Sequence, residues 1–120
     1  MSRIRLALAA AVLAVGLVLT ASVSAATPKL VGSVGPGFVI SLTKGGKKVT
    51  KLKPGKYTFV VHDKSNIHNF RVKGPGLNKQ ITTVGFVGTK TVTLKLKAGK
   101  YTFDCDPHFA AMHATFRVGA

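Results

Sequence analysis

The chain has 120 residues, of which 18 are lysine or arginine and three are acidic, so its formal net charge is +15 at pH 7. Its single cysteine excludes a disulfide bond within the chain, and its length suits one domain. The lysines are scattered and few aromatic residues are interleaved with them, which disfavours nucleic acid as a partner.

The first 25 residues have the pattern of a secretory signal peptide. Arg3 and Arg5 form a positive start, an apolar run extends from Leu6 to Leu19, and Val23 and Ala25 occupy the positions that a signal peptidase reads. We predict a signal helix in residues 1–25, cleaved after Ala25 or Ala26, and an exported domain of residues 26–120. The alternative is an uncleaved membrane anchor, because the run approaches the ~18 residues that span a bilayer.

Beyond the signal, apolar residues recur with a period of two, which is typical of β-strands. In "TVTLKLK" (residues 91–97), Val92, Leu94 and Leu96 share one face. Glycine and proline separate this stretch from similar ones, and seven or eight such strands predict an all-β Greek-key β-sandwich. The other predicted strands include residues 38–42, 48–52, 56–61, 68–72, 81–84 and 114–118.

One stretch occurs twice. "LKPGKYTFVVHD", from Leu52, resembles "LKAGKYTFDCDP", from Leu96, at an offset of 44 residues. Two copies are too few for a solenoid. We predict that they form two equivalent hairpin arms of one sandwich.

Strand parity places two chemically reactive side chains in the interior. Cys105 has the parity of Tyr101 and Phe103, and His68 has the parity of Phe70. Because alternate residues of a strand share a face, the thiol and the imidazole are both expected to point inward. His62 has the opposite parity to its apolar neighbours and is predicted to face away from the core.

Four side chains could together hold a metal ion. Two histidines and one cysteine in a trigonal plane, with a weak axial methionine, form a blue-copper electron-transfer site. Two residues separate Cys105 from His108, and Pro107 stiffens that short turn. The candidate ligands are His68, Cys105, His108 and Met112.

Other interpretations of these residues remain open. A zinc site would use His113 in place of Met112, although structural zinc sites usually contain more thiolates. A lone buried cysteine is often a small core residue, and a buried methionine often fills the core. A Cys–His nucleophile is also conceivable, but no group is arranged to orient it.

"HNF" at residues 68–70 and "CDPHFAAM" at residues 105–112 resemble the cupredoxins, the superfamily of plastocyanin, pseudoazurin and azurin. The wider stretches at residues 63–78 and 99–118 resemble a bacterial secreted subgroup of plastocyanin-like proteins. The resemblance implies His68, Cys105 and His108 as equatorial ligands of one copper ion and Met112 as the axial ligand. It also implies that Asn69 ties the two ligand loops together. An apolar shell of Phe70, Phe103 and Phe109 is expected around the thiolate.

These observations predict a blue copper protein that carries single electrons outside the cytoplasm and is not an enzyme. His108, in the turn, is the expected electron exit. The alternative is an envelope copper carrier or storage protein with the same ligands. The positive charge favours an acidic redox protein or the anionic cell envelope as partner. We further expect a monomer that does not span the membrane once the signal is removed.

Overall fold

The computed structural model describes residues 11–19 and 26–120. Within them the chain forms ten β-strands and one 3₁₀ helix, and the predicted all-β sandwich is confirmed. The strands are β1 (Lys29–Val34), β2 (Ile40–Lys44), β3 (Lys47–Lys48), β4 (Lys51–Leu52), β5 (Gly55–Asp63), β6 (Phe70–Gly74), β7 (Leu77–Thr82), β8 (Gly88–Leu96), β9 (Gly99–Asp104) and β10 (His113–Val118), with the 3₁₀ helix at Asp106–His108 between the last two.

The strands form two five-stranded sheets. The first has the order β3-β2-β1-β5-β8, and the second has the order β4-β10-β9-β6-β7. Strand β1 runs parallel to β5, and β5 pairs with β8 in antiparallel register from Gly55↔Leu96 to Asp63↔Gly88. This register places four loops at one end of the sandwich, at residues 35–39, 64–69, 83–87 and 105–112.

The core lies between the two sheets and follows the period-two pattern of the sequence. Along β5, Tyr57, Phe59 and Val61 are buried, whereas the residues between them are partly exposed. Leu94 and Leu96 are buried in the same way on β8. Alternation of this kind buries one face of each sheet against the other and leaves the second face in water.

Three features of the strands differ from the sequence prediction. Strand β1 was not predicted, since Gly32 interrupts its alternating pattern. Residues 48–52 form two short strands in different sheets rather than one, because the chain crosses from the edge of the first sheet to the edge of the second. Phe38 and Val39 precede β2 and are exposed, because the turn at residues 35–37 carries them out of the sheet.

The internal repeat marks two crossings between sheets, so its prediction as hairpin arms was wrong. The first copy leads from β4 into β5 and the second from β8 into β9, and in each case the two strands belong to different sheets. Tyr57 donates its hydroxyl hydrogen bond to the Lys53 carbonyl (2.6 Å), and Tyr101 donates to the Lys97 carbonyl (2.8 Å). The repeated sequence therefore forms the same tyrosine-braced corner twice.

Most of the predicted signal helix lies outside the described residues. Residues 11–19 are described; they are exposed and contain neither helix nor strand. Among the described residues, no helix has the length and apolar character needed to cross a membrane. All ten strands lie between residues 29 and 118, so residues 26–120 contain every described strand.

Candidate metal centre

Three predicted ligands meet at the end of the sandwich where the four loops lie. His68 precedes β6, Cys105 directly follows β9, and His108 ends the 3₁₀ helix. The Cys105 Sγ atom lies 3.6 Å from the Nδ1 atoms of both His68 and His108. The two Nδ1 atoms are 3.0 Å apart. We call these three side chains the donor cluster.

The donor cluster has the chemistry and spacing of a metal site. His68 and Cys105 are fully buried, and His108 is partly exposed. A single proton could bridge only one pair of these three donor atoms, whereas one cation could accept a lone pair from each. Metal–nitrogen bonds of about 2.0 Å and metal–sulfur bonds of about 2.3 Å are compatible with donor separations of this size.

Backbone hydrogen bonds fold the segment from Cys105 to Met112 into a closed loop. The Cys105 N–H donates to the Met112 carbonyl (3.0 Å), and the Met112 N–H donates to the His108 carbonyl (2.9 Å). Pro107 stands in the first turn of the 3₁₀ helix, where a missing N–H costs nothing. The loop therefore fixes the backbone of Met112 close to that of Cys105 and His108.

Met112 and His113, the two candidates for a fourth ligand, have different surroundings. The Met112 side chain is fully buried. His113 is exposed, its Nδ1 donates to the Phe109 carbonyl (2.7 Å), and its ring stacks on that of Phe109. Among the described residues, the donor cluster includes His68, Cys105 and His108 but not His113.

Asn69 connects the two loops that carry the donors. Its Oδ1 atom accepts a hydrogen bond from the Asp106 N–H (2.6 Å), and its Nδ2 atom donates to Asp106 Oδ2 (2.9 Å) and to Gln80 Oε1 (3.0 Å). Arg71 extends the network by pairing with Asp106 at 2.9 Å. Asn69 thus joins the two loops, while its predicted position beside the thiolate stays a prediction. Arg71 and Gln80 were missed because their contribution depends on the β6–β7 register.

The comparison with protein families identifies the metal. Residues 46–119 match the family model described as copper binding proteins, plastocyanin/azurin family. The chain belongs to this family. Copper is therefore its cofactor, and the predicted cupredoxin resemblance is confirmed.

Several solved cupredoxin structures share the fold. Rusticyanin from Thiobacillus ferrooxidans is 28% identical, with 79% of each chain covered and a TM-score of 0.50. Auracyanin A from Chloroflexus aurantiacus, described as a blue copper protein, is 17% identical, with 78% of this chain and 100% of that chain covered and a TM-score of 0.55. Auracyanin from Roseiflexus castenholzii is 18% identical, with 80% of this chain and 100% of that chain covered and a TM-score of 0.55. No curated protein sequence matches the chain.

In this cupredoxin the apolar surroundings of the donors differ in part from the prediction. Phe70 and Phe103 are buried and stack with their ring centroids 5.6 Å apart, as expected. Phe109 is 46% exposed and packs on His113, so its assignment to the apolar shell was wrong. Phe38, which the sequence did not single out, contacts both imidazoles edge-on, at centroid distances of 5.4 Å to His68 and 4.9 Å to His108.

Exposed apolar side chains surround the partly exposed His108 end of this copper protein. Between residues 26 and 120, every exposed large apolar side chain belongs to one of the four loops at this end. We call this set the apolar rim. Its members are Phe38, Val39, Ile67, Val84, Val87 and Phe109.

Two carboxyl groups flank Cys105 and differ in their pKa values. Burial, together with the neighbouring Asp106 carboxylate, raises the pKa of Asp104 to about 6, although Lys73 and Arg71 oppose this. Burial also acts on Asp106, but hydrogen bonds with Asp104, Arg71 and Asn69 outweigh it and lower its pKa. The pair can thus hold one proton on Asp104 while Asp106 stays ionised and bonded to Arg71.

His62 lies away from the donor cluster, as its parity predicted. It is partly exposed, and its Nδ1 is 2.9 Å from the hydroxyl of Thr89, the residue opposite it on β8. This polar pair belongs to the outer face of the first sheet. Of the four histidines, two therefore belong to the donor cluster and two do not.

Proposed function

We propose that this cupredoxin is a blue (type 1) copper protein that carries one electron at a time. His68, Cys105 and His108 would hold the copper ion, with Met112 as the fourth ligand. Bound copper supplies the one-electron chemistry between Cu(I) and Cu(II). Two imidazoles, one thiolate and a weak thioether are the donor set that this chemistry uses in proteins.

The observation that carries the proposal is the position of the Cys105 sulfur, 3.6 Å from both imidazole nitrogens inside a copper-family fold. The full burial of Met112, in the loop closed by Cys105 and His108, supports its role as the fourth ligand. His113 is bonded to the Phe109 carbonyl and exposed, which disfavours the alternative zinc set.

The protein's contribution to electron transfer is to hold these donors still. Cys105 stands between the ends of β9 and β10, while Asn69 bonds the His68 loop to the Cys105 loop. Donors fixed from two directions move little when the charge at the site changes. Cys105 is fully buried in the same apolar core as Phe70 and Phe103, which keeps water from the sulfur. His108, the partly exposed donor, offers the shortest path to the surface.

The apolar rim suggests how an electron partner docks. A partner must approach His108 closely, and the exposed large apolar side chains between residues 26 and 120 all lie in the loops at this end. Exposed apolar patches commonly mark protein–protein contacts. We therefore propose that a redox protein binds the rim, and that charge elsewhere on the domain accelerates their encounter.

Copper addition with visible spectroscopy tests the proposal. Cu(II) added to residues 26–120 should produce an intense thiolate-to-copper absorption band, and Cys105→Ser should abolish it. Met112→Leu should shift the band and the reduction potential, whereas the matched variant His113→Leu should change neither. An absence of the band in the wild-type domain would refute the assignment. An effect of His113→Leu equal to that of Met112→Leu would refute the axial ligand.

The second candidate is a copper carrier or storage protein that uses the same ligands. The partial exposure of His108 favours it, because an exposed ligand offers a route for metal exchange. A carrier should surrender its copper quickly to a competing chelator and give it to an apo-acceptor. An electron carrier should retain copper through repeated oxidation and reduction at an electrode.

We also propose that residues 1–25 are a cleaved signal peptide. The mature domain then acts outside the cytoplasm, in the periplasm or at the cell surface. We propose that it is a monomeric carrier rather than an enzyme. Arg3, Arg5 and the apolar run support export. N-terminal sequencing of the protein recovered from a secreting host should begin at Ala26 or Thr27. Recovery of only the full-length chain from membranes would support the uncleaved anchor instead.

A further inference from the structure

A cleft lined by lysines lies away from the donor cluster. It has a volume of about 660 Å³ and opens between β3, at the edge of the first sheet, and β4, at the edge of the second. Its lining includes six lysines, all exposed. We call it the lysine cleft, and its lysines are Lys44, Lys47, Lys48, Lys51, Lys53 and Lys56.

No aspartate or glutamate side chain pairs with a lysine of the cleft within the described part of the chain. The ion pairs found there are Arg71–Asp106 and Lys73–Asp104, which do not involve these lysines. All three acidic residues lie at the donor end, at Asp63, Asp104 and Asp106. Asp63 lies seven positions after Lys56 along β5, a distance of about 23 Å. This exceeds the screening length of about 8 Å at physiological salt, so the acids leave the potential of the cleft almost unchanged.

The amino-terminal part of the chain enters the domain at the same place. Pro28 lines the cleft, and β1 begins directly after it. Nine residues, 20–28, separate the end of the apolar run at Leu19 from Lys29. Nine extended residues span at most about 30 Å, so before cleavage a membrane that holds the apolar run also lies near the lysine cleft.

An acidic redox protein would be poorly placed at this surface. In the proposed function, on which this step rests, electrons leave through His108, at the other end of strands such as β5, which is nine residues long. A partner bound at the lysine cleft would be separated from the donors by most of the length of the domain. The occupant of the cleft therefore does not need to exchange electrons.

We propose that the lysine cleft binds the anionic phospholipid headgroups of the membrane surface and directs the donor end away from the membrane. Clusters of four to eight lysines are attracted to anionic lipid headgroups, and this attraction does not require residues 1–25 to stay attached. This orientation leaves His108 and the apolar rim open to a redox partner. The two partners then bind different surfaces: the anionic envelope binds the lysine cleft, and the redox protein binds the apolar rim.

Vesicle binding by the fragment 26–120, which contains every described strand, tests this inference. One variant combines Lys47→Gln, Lys48→Gln and Lys51→Gln. The matched control combines Lys64→Gln, Lys79→Gln and Lys90→Gln, which removes the same charge from exposed lysines outside the cleft. Thermal melts followed by circular dichroism establish that both triple variants fold.

The wild-type fragment should co-sediment with vesicles of equal parts phosphatidylglycerol and phosphatidylcholine, but not with phosphatidylcholine alone, and added salt should release it. The cleft variant should bind about tenfold or more weakly, and the control should differ from wild type by less than about threefold.

Hydrogen exchange should show protection by vesicles in residues 44–56 but not in residues 105–112. Equal losses in both triple variants would show that only net charge matters and would overturn the proposal. Binding to soluble polyphosphate without binding to vesicles would also overturn it.

Discussion

The donor end and the lysine cleft differ in charge, burial and hydrogen bonding. At the donor end, Cys105, His68 and Asn69 are buried, and all three acidic residues of the chain lie there. The lysine cleft has six exposed cations and no acid. The donor end is a fixed arrangement in which each polar side chain depends on its neighbours, whereas the cleft relies on accumulated charge. Substitutions should therefore have large individual effects at the first site and small, cumulative effects at the second.

The largest effect is expected from Asn69→Ala. The substitution leaves the Asp106 N–H and one Asp106 carboxylate oxygen without their buried partner and should lower the free energy of unfolding by about 2–3 kcal/mol. The matched substitution in the cleft, Lys47→Ala, should cost less than about 0.5 kcal/mol because its side chain is exposed. Urea unfolding measures both. Equal costs would contradict the distinction between the two regions.

Asp104→Asn should have a pH-dependent effect in the metal-free domain. The folded-state pKa of Asp104 is raised from 3.8 to about 6, chiefly by burial. Between these two pH values the Asp104 carboxyl is already ionised in the unfolded chain but still protonated in the folded domain. The free energy of unfolding therefore falls as the pH rises. Asp104→Asn should remove this fall and stabilise the domain at pH 7 by about 1–2 kcal/mol. Urea unfolding at pH 4 serves as the control, since the gain should nearly vanish there. A stabilisation of the same size at pH 4 and pH 7 would contradict its attribution to the raised pKa of Asp104.

The two tyrosine-braced corners should respond alike, although they lead into different sheets. Tyr57→Phe and Tyr101→Phe each remove one hydroxyl donor from a backbone carbonyl and should each cost about 1 kcal/mol. Thermal unfolding of the two single variants and of the double variant compares them. Unequal costs would show that the sequence repeat is not an energetic repeat.

The smallest effect on stability is expected from Phe38→Ala, since Phe38 is 58% exposed. Its ring covers His68 and His108, so its removal should raise the reaction rate of the Cys105 thiol with a soluble disulfide reagent several-fold in the metal-free domain. Phe109→Ala is the matched control, because Phe109 is also exposed but packs on His113. Equal acceleration by both variants would mean that Phe38 does not shield the donors.

The sequence predicted the parts of the molecule that depend on local pattern. The period of two located most of the strands, and parity placed Cys105 and His68 in the interior. The contribution of Phe38 could not be read in this way, because the path of the loop after Gly35 decides whether its ring reaches the imidazoles. Arg71 and Gln80 reach Asp106 and Asn69 only through the pairing of β6 with β7 and β9.

The lysine cleft, like the contacts of Phe38, Arg71 and Gln80, could not be predicted from local sequence pattern. Its lysines come from β2, β3, β4 and β5 and from the turn between β4 and β5, and these strands belong to two sheets. In the sequence they form no continuous basic run, since Val49, Thr50 and Leu52 separate them. The crossing between the sheets brings them together. The split of residues 48–52 into two strands, which the pattern did not predict, is therefore the feature that creates the cleft.

X-ray absorption at the copper edge of the metal-loaded domain tests the central claim most directly, because it counts the atoms bound to the ion. One short copper–sulfur bond from Cys105 and two nitrogen ligands from His68 and His108 are expected, and Cys105→Ser should remove the short sulfur contribution. A spectrum with only nitrogen and oxygen neighbours in the wild-type domain would contradict the claim that these three side chains share one copper ion.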